Sequence, residues 1–151
     1  MEDVPLVRLL SMAVTVALES LHEDLARAGH PKLRPAHGYA LHAISTGIDT
    51  ASRLGPLLGM SKQGAAKLLQ TLVDEAYVEV AATGDDARQK PVVLTGRGRA
   101  AVEVSVAIQR DLERRWASVV GPERMQVLRS TLGQAVLAES DGTLPPVRPA
   151  W

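Results

Sequence analysis

Cysteine is absent from the 151 residues. Disulfides, thiolate metal sites and thiol redox sensing are therefore excluded. No apolar run reaches the roughly 18–20 residues a membrane helix needs, and no Lys/Arg-led apolar leader with a cleavage site opens the chain. A soluble, cytoplasmic protein is expected. Excess charge is also missing: 17 basic residues balance 17 acidic ones. That neutrality argues against a general polyanion binder, so any affinity for a phosphate backbone must come from local fields. Catalytic constellations are missing as well. There is no Ser/His/Asp arrangement, no phosphate loop and no zinc motif. The adjacent pair Asp85–Asp86 is poorly placed as an acid–base couple, so no catalytic residue and no cofactor is expected.

What is present is a chain long enough for one ordinary domain, able to bury roughly 70% of its unfolded surface without a staple. Its organising stretch runs from Thr50 to Gly98. A leucine-bearing segment, Ser52-Arg-Leu-Gly-Pro-Leu-Leu-Gly59, predicts a third helix with Ser52 as its N-cap and with Leu54 and Leu58 inward. A proline soon after that cap predicts a short or late-starting helix. Gly59 makes the turn, and Ser61 caps a fourth helix reaching about Glu75. Ala65, Leu68, Leu69 and Leu72 form its inner side. At about 100° per residue, Gln63, Ala66, Lys67 and Gln70 gather on the other. Ser61 and Lys62 stand at the N-terminal end, where unpaired N–H groups favour phosphate.

The outward set has the chemistry of a major-groove reader. Glutamine matches an adenine edge, lysine a guanine or a phosphate, and alanine a thymine methyl. A plain solvated helix face has similar composition; the sequence that follows favours the reader. Residues 77–80 and 91–94 predict two strands of a hairpin, with Pro91 making the second an edge strand or one that starts late. The turn between them holds Asp86, Arg88 and Lys90. Arg88 suits a narrow minor groove, with Asp86 positioned to hold its guanidinium. A surface ion pair worth about 0–1 kcal/mol is the plainer account of that pairing. Residues 61–70 and residues 84–99 each carry a net charge of +2.

The flanks predict four further helices. Residues 6–28 carry Leu10, Val14, Leu18, Leu21 and Leu25 at helical steps, and a second apolar set that includes Leu6, Leu9 and Val16. One buried stripe needs only one set, so this helix either meets another chain or is buried within its own domain. Residues 35–44 predict a helix with Pro35 in its first turn. His37 and His42 lie five apart on it, off a common face. They suit the lining or edge of a cavity better than a metal site, and no metal is expected. Thr95 caps a fifth helix reaching about Val119, with a seam of Val102, Ser105, Ile108, Leu112, Trp116 and Val119. Pro122 opens a sixth, whose stripe is Met125, Leu128, Leu132, Ala135 and Val136. Residues 139–151 predict a mobile, proline-rich tail.

Two stretches resemble the MarR family of winged helix-turn-helix transcription regulators. They are Leu58-Gly-Met-Ser-Lys-Gln63 and Asp86-Ala-Arg-Gln-Lys-Pro-Val-Val-Leu-Thr-Gly-Arg-Gly98, the latter following the family's wing pattern D-x-R-x-K-x-x-x-L-T-x-x-G. The resemblance spans about residues 6–138. It implies a mainly α fold: six helices, a two- to three-stranded antiparallel wing, and a helical dimerisation base from both termini. Residues 6–45 and 99–138 would form that base and its cleft, and residues 50–98 the DNA-binding lobe. It further implies a bacterial homodimer, a repressor, on a pseudo-palindromic operator in double-stranded DNA. The DNA contacts would come from Ser61, Lys62, Gln63, Ala66, Lys67, Gln70, Asp86, Arg88 and Lys90. A small aromatic or phenolic effector would fill a cleft among the first, second and fifth helices, where His22, His37, Tyr39 and His42 are the candidates. The sequence departs from the family at Ala76, where glycine is usual, and at Gly55-Pro56 and Pro91. Those departures keep a second reading open, a winged-helix protein-interaction module without DNA binding.

Overall fold

In the computed structural model, which describes residues 3–81 and 90–146, six helices surround one two-stranded antiparallel sheet. The elements are α1 (Leu6–Arg27), α2 (Pro35–Ser45), α3 (Ala51–Leu57), α4 (Lys62–Asp74), β1 (Val78–Val80), β2 (Val92–Leu94), α5 (Gly96–Val120) and α6 (Pro122–Glu139). The helix boundaries follow local chemistry. Gly29, at φ +91°, ends α1 where a side chain would be strained. The Ser61 hydroxyl accepts the Gly64 N–H at 3.0 Å and starts α4, and the Thr95 hydroxyl accepts the Gly98 N–H at 3.1 Å and starts α5. Pro122 occupies the first turn of α6.

The third helix departs from expectation at its start. It begins at Ala51 with Thr50, not Ser52, in the cap position. The Thr50 carbonyl accepts from the Arg53 and Leu54 N–H groups at 3.1 and 2.9 Å, a register that drives Leu54 into full burial. The helix is short, as Pro56 requires, because this residue offers no N–H to the preceding turn. The neighbouring Gly55 has a packing reason. A Cβ there would lie 3.0 Å from the Met60 carbonyl oxygen, so glycine lets α3 approach the turn into α4.

Strand β1 starts at Val78, one residue later than expected, because the Tyr77 N–H donates to the Leu72 carbonyl at 2.9 Å and not across the hairpin. The Tyr77 carbonyl still accepts the Thr95 N–H at 3.1 Å, in register with the strand pairs that follow. Val78 pairs with Leu94, Glu79 with Val93, and Val80 with Val92. The second strand also starts late, at Val92. The Pro91 carbonyl still accepts the Ala81 N–H at 2.8 Å. In place of a third strand, the Val92 N–H donates to the Asp49 carbonyl at 2.8 Å.

Among the described residues, every buried hydrophobic side chain lies between Leu25 and Ala101. Leu41 of α2, Leu54 of α3, Leu72 of α4, Tyr77 and Val78 are almost wholly enclosed. The long terminal helices are different. Leu25 is the one buried residue of α1, α6 buries none, and on α5 burial stops at Ala101. The expected α5 seam therefore does not close within one chain: Val119 is 83% exposed. No helix among the described residues is long and apolar enough to cross a membrane.

Candidate nucleic-acid interface and effector cavity

Helix α4 stands on the core through Ala65, Leu69 and Leu72, and presents Lys62, Gln63, Ala66, Lys67 and Gln70 outward. Ser61 is exposed too. Its oxygen is committed to the Gly64 N–H, which leaves its hydroxyl proton free to donate to a phosphate. One residue on this ridge was not anticipated. Asp74 is exposed four positions after Gln70, and the Gln70 Nε2 donates to its Oδ1 at 2.8 Å. The i, i+4 spacing was its sequence signal.

Beyond α4 the chain turns at Ala76, at φ +58°. This is the left-handed position where glycine was expected, and alanine holds it at a cost of about 1 kcal/mol. Three bonds lock the turn. The Ala76 N–H donates to Val73 and the Tyr77 N–H to Leu72, both at 2.9 Å, and the Ala76 carbonyl accepts the Thr95 hydroxyl at 2.7 Å. The base of the wing is thereby bolted to the end of α4. A Cβ on Gly98 would fall 2.0 Å from the Tyr77 carbonyl oxygen, so the start of α5 fits the hairpin only as glycine. Lys90 is exposed at the wing's described end, whereas Asp86 and Arg88 lie outside the described residues.

A second cluster, also unforeseen, sits behind the wing. The Tyr77 hydroxyl lies 3.0 Å from Nδ1 of buried His30 and accepts from Arg97 at 3.2 Å, with the guanidinium 4.6 Å over the tyrosine ring. The His30 tautomer sets which of the two groups donates across this contact. Burial, and secondarily the Arg97 charge, lower the His30 pKa. The loop between α1 and α2 is thus tied to both β1 and α5. Lys32 adds an ion pair to Glu75 at 2.7 Å, at the end of α4. These partners are 20 to 47 residues apart in sequence, so no spacing rule points to them.

On the far side of α2 is a cavity of about 440 Å³ among α1, α2 and α5, within the size range of small-molecule sites. His22, Tyr39 and His42 line it, with Arg34, Gln109 and Glu113 as further polar groups. Most of its wall is apolar, as at Leu18, Ile108 and Trp116. Nε2 of His22 is buried with no hydrogen-bond partner among the described residues. Burial first, and Arg34 second, lower the His22 pKa. His37 does not belong to this wall. Its Nδ1 accepts the Arg34 N–H at 3.0 Å, which turns the ring toward a small hollow beside Lys32 and Glu75. A charged His37 cannot accept that bond; burial, followed by the Arg34 charge, lowers its pKa against the opposing pull of Glu75. Among the described residues no group of three His, Asp or Glu side chains is placed to hold a metal ion.

Comparison with known proteins finds similarity in sequence and in fold. The MarR family model matches residues 32–89. No curated protein matches the chain. Among solved structures, Escherichia coli MarR in its apo form is similar at a TM-score of 0.69 and 23% identity, covering 88% of this chain and 98% of that one. A Mycobacterium tuberculosis MarR family protein in complex with DNA gives a TM-score of 0.68 at 22% identity, over 88% of this chain and 98% of the other. The same protein in complex with salicylic acid gives 0.67 at 22% identity, over 88% and 97%. The chain thus resembles the MarR family over residues 32–89 and has the winged-helix fold of these solved structures along most of its length.

Proposed function

We propose that the protein is a homodimeric, sequence-specific DNA-binding transcription regulator, acting as a repressor in a bacterial cytoplasm and released from its operator by a small aromatic or phenolic effector. The observation that carries this reading is the exposed ridge of α4. Gln63, Lys67 and Gln70 project from a helix anchored by the core, capped at Ser61 and joined through the bonded turn at Ala76 to a wing that carries Arg88 and Lys90. Arg88, Asp86 and Lys90 are the wing's contribution, with Arg88 in the minor groove. The uncovered apolar faces of α1 and α6 supply the dimer contact, and two-fold symmetry sets the half-sites about 34–36 Å apart. His22, Tyr39 and His42 are the effector residues; the salicylic acid complex of the M. tuberculosis protein supports that class of ligand.

Fluorescence anisotropy on duplexes selected from a genomic library tests the reading. Wild type should bind with a steep salt dependence. Lys67→Ala should weaken binding across sequences and reduce the salt slope by about one per protomer, and Arg88→Ala should weaken binding further. The zero net charge and the acidic Asp74 on the α4 face favour the alternative of a protein-interaction module. Salt-independent or absent binding by wild type would decide for that alternative.

A further inference from the structure

On the outer side of α4, successive steps of about 100° place Gln63, Lys67, Gln70 and Asp74 within a strip some 60° wide. All four are exposed. A carboxylate at the end of a groove-facing ridge is unexpected, because it repels the phosphate that the rest of the ridge attracts. Its contact resolves this. The Gln70 Nε2 donates to Asp74 Oδ1 at 2.8 Å. An ionised carboxylate only accepts hydrogen bonds, so it can face the amide nitrogen of Gln70 and never the amide oxygen. A free glutamine can turn its terminal amide over and present oxygen or nitrogen in either order. Beside Asp74 the order that puts nitrogen toward the carboxylate is favoured.

We infer that Asp74 is a positioning residue for base recognition: it sets the order of donor and acceptor on Gln70, and so sharpens the preference of Gln70 for adenine over guanine. This rests on the DNA-binding reading above. With one N–H held by Asp74, the outward pattern of Gln70 is one acceptor, Oε1, beside one remaining N–H donor. Adenine offers the complement in the major groove, an N6 donor beside the N7 acceptor. Guanine offers two acceptors, O6 and N7, and meets an oxygen where it needs a donor. An unpinned Gln70 could swing its nitrogen toward either guanine acceptor; Asp74 disfavours that option.

The test is selection of bound duplexes at about 150 mM salt with wild type, D74A, D74N, Q70A and the double variant Q70A/D74A, each first shown to melt like wild type. Wild type should show one position per half-site with strong adenine preference that Q70A abolishes. In D74A, the adenine-to-guanine ratio at that position should fall about 3- to 10-fold, part of the discrimination a bidentate pair provides, with other positions unchanged. D74N should behave like D74A, because an asparagine can donate to the Gln70 oxygen and no longer dictates its orientation. In the Q70A background, D74A should change no base preference. A selective wild type whose D74A profile is unaltered overturns the inference alone. So does a D74A effect that survives in Q70A, which would make Asp74 itself the reader. A wild type that selects no duplex overturns the DNA-binding reading and this inference together.

Discussion

The middle of the molecule and its two ends solve the burial problem differently. From Leu33 to Ala101, α2, α3, α4, the hairpin and the first turn of α5 share one enclosed core, and contacts such as Gly98 on Tyr77 tolerate no extra atom. The ends keep their apolar residues on view: Val7 is 79% exposed, Val127 63% and Leu128 45%. Arg115 donates to Ser20, and Arg129 pairs with Glu113, so α5 joins both α1 and α6 by polar contacts without covering those surfaces. A large exposed apolar area on helices this long marks an interaction surface. The lobe encloses its core within one chain; the base leaves its apolar faces uncovered among the described residues.

The sharpest way to break this contrast is Gly98→Ala. Its Cβ would meet backbone, which cannot move aside as a side chain can. We expect a loss of about 3 kcal/mol or more, read as a fall in Tm of roughly 6–12 °C for a chain of this size. An unchanged melting curve would contradict the close approach. Next is Leu128→Glu on α6. No core contact is lost, so helical content should stay. The dimer should dissociate in analytical ultracentrifugation, and operator affinity should fall about 100-fold as the two lobes cease to bind together. A dimer that persists would place the interface elsewhere.

Ala76→Gly runs the other way. Relief of the left-handed alanine at φ +58° should stabilise the lobe by about 0.5–1 kcal/mol, a shift of a few degrees in Tm. The smallest effect expected is on pH. His22, His30 and His37 each have a folded pKa below the ordinary 6.5, so the unfolded chain binds more protons over the window below that value. The stabilisation is complete above pH 6.5 and declines as pH falls through 6.5 toward the lowered folded values. His30→Gln should flatten that acid limb in urea titrations across this range. A stability that rose on acidification would refute the neutral His30–Tyr77 contact.

Much of the architecture was legible because it is local. Caps at Ser61 and Thr95, Pro122 in the first turn of α6, and the inward Leu54 and Leu58 follow from residue type and helical period. The outward ridge of α4 was legible for the same reason. Errors arose where distant parts compete for one group. Ser52 has the chemistry of a cap, yet the pull of Leu54 into the core sets the cap at Thr50. Tyr77 has the composition of a strand residue, yet its N–H is taken by Leu72 of α4. His37 lies in the same short helix as Tyr39 and His42, yet its ring serves the N-terminus of α2 and turns away from the cavity.

The sequence by itself determined the element order, the helix starts at Ser61, Thr95 and Pro122, the two faces of α4 and the resemblance to MarR regulators, because these depend on interactions a few residues long. Only the tertiary structure decided that His30, Tyr77 and Arg97 meet behind the wing, that His37 turns away from the cavity among α1, α2 and α5, and that α6 buries no side chain among the described residues. Those outcomes depend on how rigid elements pack in three dimensions, and no local period or spacing encodes them.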